Sequence, residues 1–332
     1  MSTSSLPLYA RPLYAETSSS SYGASAGRYA PSPSGDLHLG NLRTAVLAWL
    51  MARSTSRAFH MRVEDLDRVR EGAAQRQLDD LASLGIDWDE PALYQSTRIE
   101  AYASAFEYLK QQGLVYECFC TRREIQEASS APHGAPGAYP GTCRDLTQEQ
   151  REEKRAVRPP AYRLRADRSS YTVHDDFAGD YTGDVDDFVL LRNDGTYAYN
   201  LVSVVDDHAQ GVDQVVRGDD LLPSAPRQAY LASLLNFEPV SYAHVPLALN
   251  SEGKRLAKRD GAVTLEQLRQ AGASTAQLLG WIADSIPLDI PADLRARGIE
   301  SVADMLPFFS PDSIAQHPWV VTDQLGDFMD SL

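Results

Sequence analysis

Between Arg28 and Val63 the chain changes its period repeatedly, and the order of those changes admits few folds. Arg28-Tyr29-Ala30 reads as a short strand running into Pro31-Ser32-Pro33-Ser34-Gly35. Two prolines and a glycine stop both helix and sheet there. A helix then begins at His38-Leu39-Gly40-Asn41, with Leu42, Ala45, Val46, Trp49 and Leu50 spaced i, i+3, i+4, i+7, i+8 along one face. Residues 58–63 follow as a buried strand ending in Glu64-Asp65-Leu66-Asp67. Strand, loop, helix, strand predicts the start of a parallel α/β sheet.

Helices are expected near 72–84 and 97–112, the second opening on Thr97 and Glu100 in capping-box spacing. Segment 116–160 differs in composition, with cysteines, glycines and prolines before a charged stretch. It reads as a module inserted into a domain made of 28–115 and 161–250. Phe188 to Arg192, the turn Asn193-Asp194-Gly195 and Thr196 to Val205 predict a hairpin. A helix near 223–236 and a strand at 244–249 follow. Residues 251–332 predict a basic loop and a short helical part, with a capping pair at Thr264 and Gln267 and helical pieces at 292–297 and 301–309. Residues 1–27, rich in Ser, Ala and Tyr, show no period and are expected to be a disordered tail without a secretory signal.

With 43% hydrophobic residues among 332, the chain can bury a large core. No apolar run is long enough to span a bilayer. Three clustered cysteines, an odd number, argue against a disulfide framework and for the cytoplasm. A formal net charge of −15 argues against a nonspecific nucleic-acid coat, while leaving room for a local basic groove. A monomer is expected.

Three constellations carry chemistry. The start of the first helix offers unpaired N–H groups that suit phosphate, Gly40 lets a group approach the backbone closely, and His38 can donate to a phosphate oxygen. Lys254-Arg255-Leu256-Ala257-Lys258-Arg259-Asp260-Gly261 places four cations in six residues, a clamp for a polyanion. Taken singly, the first reads more readily as a capped helix with a surface histidine and the second as a solvated basic loop. The third is Cys118-x-Cys120 with Tyr139-x-x-x-Cys143. Three thiolates suit Zn²⁺, and chemistry alone leaves the fourth ligand open, His133 included.

Taken together, the first two constellations resemble the two signatures of class I aminoacyl-tRNA synthetases: His38-Leu39-Gly40-Asn41 and Arg255-Leu256-Ala257-Lys258-Arg259. Arg28 to Gly35, Arg62 to Asp67, Val205 to His208 and Val216-Arg217-Gly218 look like the glutamyl branch. Arg255 and Ala257 depart from the usual Lys and Ser of the second signature. The cysteine and tyrosine spacing is similar to the zinc module of glutamyl-queuosine tRNA(Asp) synthetases, where a Tyr is the fourth ligand. The 74 residues after Lys258 are fewer than a full glutamyl-tRNA synthetase needs for its anticodon-binding part.

The resemblance implies a Rossmann-like class I catalytic domain with a zinc-containing insert and a short helical C-terminal part. It implies ATP-dependent activation of L-glutamate, then transfer to the queuosine base in the anticodon of tRNA(Asp). Glutamate brings one ammonium and two carboxylates, so Arg28 and Arg217 are expected as carboxylate forks, Glu64 as the ammonium partner and Tyr199 as a hydrogen-bonding group. Tyr29, Ala30, Pro31 and Ser32 would line that pocket. His38, Gly40, Asn41 and Lys258 would bind ATP, with His38 and Lys258 stabilising the charge that develops and Mg²⁺ neutralising pyrophosphate. Cys118, Cys120, Tyr139 and Cys143 would hold one structural Zn²⁺. Asp65 and Asp67 are expected as caps or ion pairs. Asp206 and Asp207, read as strand neighbours on opposite faces, make a poor chelate. Two other readings stay open: a truncated enzyme charging tRNA 3′ ends, and a non-catalytic RNA-binding paralogue.

Overall fold

A computed structural model describes residues 25–129, 139–250, 253 and 263–320. The expected first unit forms as β1 (Ala26–Tyr29), α1 (Leu39–Ser54) and β2 (Ala58–Val63), followed by α2 (Ala73–Ser83). Strand β1 starts earlier than expected, so Ala26 and Gly27 belong to the sheet rather than to the tail. A Cβ on Gly27 would lie 2.9 Å from that of Ala52, which is how closely β1 and α1 pack. β3 (Leu93–Tyr94) and α3 (Ile99–Gln111) come next. The capping pair expected for α3 does not form. Its N-cap is Arg98 with no side-chain cap, and Thr97 instead donates to the Tyr94 carbonyl at 2.7 Å, inside a 3₁₀ turn.

The chain continues through β4 (Val115–Cys118), α4 (Arg122–Ser129), α5 (Gln148–Val157), β5 (Ala161–Leu164), β6 (Ser170–Asp175), β7 (Gly179–Asp184) and β8 (Val189–Leu191). Then come α6 (Tyr199–Ala209), β9 (Val212–Gly218), α7 (Ala225–Leu234), β10 (Ser241–Val245) and β11 (Ala248–Leu249). The last elements are α8 (Leu265–Gln270), α9 (Thr275–Asp284), α10 (Ala292–Arg297) and β12 (Trp319–Val320). The capping pair at Thr264 and Gln267 is formed at the start of α8. The helical piece expected at 301–309 is two separate 3₁₀ turns, Val302–Asp304 and Leu306–Phe308, because Pro307 cannot continue a helix.

The expected hairpin is only half present. β8 turns at Asn193–Gly195 and makes a single bridge from Leu191 to Tyr197 before the chain enters α6. The run Leu201, Val202, Val204, Val205 suits a helix face as well as a strand, and short β-branched runs do not separate the two. In place, all four are buried. Asp206 and Asp207 therefore project from a helix, and their divergence comes from helical rotation rather than strand alternation.

Seven strands form one sheet in the order β3-β2-β1-β9-β10-β6-β7, parallel except for the β6–β7 pair. Chain order reverses at β1, which has β2 on one side and β9 on the other. In open parallel sheets, ligands bind beyond the strand C-termini at such a reversal. A separate antiparallel sheet, β4-β5-β8, pairs Val115 with Leu164 and Cys118 with Ala161.

α1 is buried on nearly every side. One face meets the sheet, and α8 and α9 cover another, so Leu42, Leu47, Leu50, Leu268, Leu279 and Ile282 share one core. The C-terminal part is thus packed onto the first helix. A second core, around Tyr102, Phe106, Leu201 and Tyr230, joins α3, α6 and α7.

Candidate functional site

A cleft of about 680 Å³ opens over the C-terminal ends of β1, β2 and β9. It is lined by Arg28, Tyr29, Ala30, Pro31 and Ser32. The same cleft takes in His38, Gly40, Asn41, Glu64, Tyr199 and Arg217. Sequence reasoning assigned all of these to substrate pockets, and the fold brings them to one place. Lys258, Arg255 and Ala257 lie outside the described residues. The chain beyond them returns beside α1, where Val263 accepts from the Leu39 amide at 3.3 Å and Thr264 bridges to His38.

The loop after β1 is tied down rather than loose. The Glu64 amide donates to Pro31 and the Arg70 amide to Pro33, at 3.0 and 2.9 Å. The side-chain amide of Gln77 donates to the carbonyls of Ser32 and Gly35. At the helix start, the Asn41 amide donates to Nδ1 of His38, and the His38 amide donates to Oδ1 of Asn41, both at 3.3 Å. With Nδ1 accepting, a neutral ring carries its proton on Nε2, the arrangement needed to donate to a phosphate oxygen.

The charges are arranged in two layers. In the lower layer Asp207 of α6 receives Arg62 at 2.7 Å and Arg28 at 3.2 Å. Burial opposes ionisation of Asp207, and the two guanidinium groups outweigh it, holding its carboxyl below the ordinary range. Neighbouring Asp206 faces the other way and takes Gln95, Arg98 and Tyr102. In the upper layer stand Glu64 and Arg217. Burial pushes the Glu64 carboxyl above its ordinary value, only partly countered by Arg62 and Arg28. Arg217 is 5% exposed and meets only neutral acceptors: His244 Nε2 at 3.0 Å, Gln228 Oε1 at 2.7 Å, Tyr199 Oη and the Leu221 carbonyl, each at 3.4 Å. Among the described residues it has no carboxylate partner. Arg217, without a carboxylate partner among the described residues, and Glu64, whose guanidinium neighbour Arg62 stands 3.9 Å away, line one cleft and suit a ligand bearing a carboxylate and an ammonium.

A second cavity, of about 930 Å³, adjoins the first through Ala30, Ser32, Glu64, Arg68, Tyr199 and Leu221. Its far wall comes from the small sheet and the segments beside it: Arg163 on β5, Arg192 just after β8, Arg122 at the start of α4 and Arg158 at the end of α5. Asp65 caps the turn at Ser96 and Asp67 pairs with Arg192, so neither resembles a metal ligand.

In the insert, Sγ of Cys118, Cys120 and Cys143 all lie within 4.8 Å of one another. The Tyr139 hydroxyl is 3.3 Å from Cys118 Sγ and 3.6 Å from Cys120 Sγ. Four donors thus converge from β4, the residues after it and a turn far along the chain. Three sulfurs and an oxygen at these spacings can close round a single Zn²⁺-sized ion. His133 lies outside the described residues. The Phe119 amide donates to Cys143 Sγ at 3.5 Å, and the Arg163 guanidinium stacks 3.7 Å over the Tyr139 ring, so both donors are held from behind.

Sequence reasoning missed His244, Asp175 and Gln228, which fall in no motif; strand register brings His244 and Asp175 into line with Arg217, and α7 carries Gln228 to it. It took Asp206 and Asp207 as structural or as shaping a ribose pocket, and did not foresee the pairing of Asp207 with Arg28 and Arg62, because the helix was read as a strand.

This fold and cleft define a class I synthetase catalytic domain, and the family described as tRNA synthetases class I (E and Q), catalytic domain, matches residues 26–284. A glutamyl-Q tRNA(Asp) synthetase from Nocardia farcinica is 60% identical over 299 residues, covering 90% of this chain and 93% of the relative. Another from Cutibacterium acnes is 52% identical over 273 residues, covering 81% and 78%. Among solved structures, the glutamate-tRNA synthetase from Elizabethkingia anophelis superposes with a TM-score of 0.77 at 25% identity, covering 92% of this chain and 70% of that one. The chain belongs to the glutamyl-Q tRNA(Asp) synthetase family and is a ligase of the aminoacyl-tRNA synthetase type. Among the described residues no helix is long and apolar enough to cross a membrane.

Proposed function

We propose that the enzyme activates L-glutamate with ATP and transfers it to the queuosine base in the anticodon of tRNA(Asp). The observation that carries the glutamate reading is that Arg217, bonded only to neutral groups, and Glu64 line the same cleft. Arg217 takes a carboxylate and Glu64 takes the ammonium. Arg28 contributes through Nη2, which makes no hydrogen bond among the described residues. The queuosine reading rests on the names of the relatives.

In the first step the α-carboxylate of glutamate attacks the α-phosphorus of ATP. A P–O bond forms, the bond to pyrophosphate breaks, and a mixed anhydride remains. No protein nucleophile is needed, since positioning and charge stabilisation supply the rate. His38 donates through Nε2 and Lys258 adds a second, cationic donor, with Mg²⁺ accompanying ATP. A hydroxyl of the modified nucleoside then attacks the anhydride carbonyl and releases AMP. The wider cavity meets the glutamate pocket and carries arginines in a chain of net charge −15, which supports entry of an RNA from that side. Zn²⁺ in the Cys118, Cys120, Tyr139, Cys143 set would pin the insert that forms the cavity wall. The three free cysteines and these substrates support a cytoplasmic enzyme.

The test is transfer of labelled glutamate, with ATP, to tRNA(Asp) with and without queuosine. Label only on the queuosine-bearing RNA, surviving removal of the 3′ end, is the expected result. Label on 3′ ends of tRNA(Glu) would mean a charging enzyme instead.

A further inference from the structure

Three neighbouring strands place one residue each in a line across the sheet. β9 supplies Arg217 and β10 supplies His244, directly opposite it in the parallel register. β6 ends at Asp175, paired with Tyr242 of β10. Arg217 Nε is 3.0 Å from His244 Nε2, and His244 Nδ1 is 2.6 Å from Asp175 Oδ2. The side chains of His244 and Asp175 are 1% and 0% exposed. Tyr242 stacks along His244 at 5.8 Å, and the Arg217 guanidinium lies 5.6 Å over the Tyr242 ring, closing the row from one side.

The protons in this row are fixed by chemistry. An arginine Nε always bears hydrogen, so the imidazole nitrogen facing it must accept. The other ring nitrogen then carries the proton and donates to Asp175. Asp175 is itself anchored, because its carboxylate also accepts from the amides of Phe177, Ala178 and His244. Burial holds the imidazole below its ordinary pKa despite the neighbouring carboxylate, so the ring stays neutral.

A neutral acceptor at this place has a consequence that a carboxylate would not. Arg28 and Arg62 each touch Asp207 directly, so the two share one carboxylate that offsets part of their charge. Arg217 is oriented just as firmly through Nε, yet the nearest negative charge in its row stands one imidazole ring away. Its guanidinium plane is set and its charge is left for a ligand. We propose that Asp175 and His244 are positioning residues, which fix the guanidinium of Arg217 as the receptor for the side-chain carboxylate of the amino-acid substrate. This rests on the reading of glutamate as that substrate.

Two measurements test it. In ¹⁵N NMR of the intact enzyme at neutral pH, the His244 ring should show a protonated Nδ1 and a bare Nε2. An Nε2–H tautomer or an imidazolium would overturn the relay. In ATP–pyrophosphate exchange, His244→Ala should raise KM for glutamate about tenfold, the worth of a hydrogen bond to a charged group, with KM for ATP unchanged. His244→Gln, whose side-chain oxygen can still accept from Arg217, should recover most of that loss. An unchanged KM for glutamate in His244→Ala, or equal rises for glutamate and ATP, would overturn the proposal. Wild-type enzyme that fails to exchange with glutamate would sink the substrate reading instead, and the NMR signature would still decide whether the relay exists.

Discussion

His38 and Asn41 hold each other at the start of α1, each backbone amide bonded to the other's side chain at 3.3 Å. The pair fixes the imidazole against the helix end, and Gly40 is what leaves room for it. A Cβ at position 40 would stand 3.1 Å from His38 Cε1 and 3.2 Å from Nδ1. The close approach that Gly40 permits is therefore first of all that of the His38 ring itself.

Gly40→Ala should push this ring out of line without disturbing the core. The ring must give by a few tenths of an ångström, and a misplacement of about 1 Å can cost about a hundredfold, so kcat for ATP–pyrophosphate exchange should fall by up to that factor. The melting temperature should stay within a few degrees of wild type. Wild-type exchange by this variant would mean that His38 does not act at the phosphate.

Glu64 ties binding to pH with a definite sign. Burial raises its carboxyl pKa first, and Arg62 and Arg28 lower it by less. The ammonium of a bound amino acid needs the carboxylate form, so KM for glutamate should climb as pH falls through this raised value. A carboxyl raised on folding contributes stability at low pH that is lost as pH rises through its folded pKa. Glu64→Gln should then unfold at higher denaturant than wild type at neutral pH, and at the same midpoint below about pH 4. The same variant should raise KM for glutamate by about tenfold or more. Loss of stability together with intact binding would assign Glu64 a purely structural role.

The first βαβ unit was legible because its periods are unambiguous and its breakers, Pro31, Pro33 and Gly35, are strong. Thr196 to Val205 misled because β-branched residues favour strands locally, while burial of Leu201, Val204 and Val205 against α3 and α7 decides for a helix. Motif spacing collected the cleft residues, since class signatures fall at strand ends and helix starts. It had no access to Asp175 and His244. Their approach to Arg217 depends on the β9–β10–β6 register, and sequences separated by 69 and 27 positions carry no local trace of it.

The cysteine cluster invites a test that separates support from chemistry. Cys120 is the least buried of the three thiols, with Sγ 3.5 Å from Cys143 Sγ. Cys120→Ser removes a soft donor while keeping the shape of the side chain. Metal content measured on the purified chain should fall from one zinc to near none. With metal at about a hundred times its Kd, linkage makes the expected loss about 3 kcal/mol of unfolding free energy, read in chelator-free denaturant titrations. Glutamate activation should persist, because the Arg217 and Glu64 pocket is built on β9 and the end of β2 rather than on the insert. Transfer to RNA should drop, because Arg122, Arg158 and Arg163 line the wider cavity on the same side as Cys118 and Cys120. Full transfer by a zinc-free variant would mean that the ion does not support the RNA-facing wall.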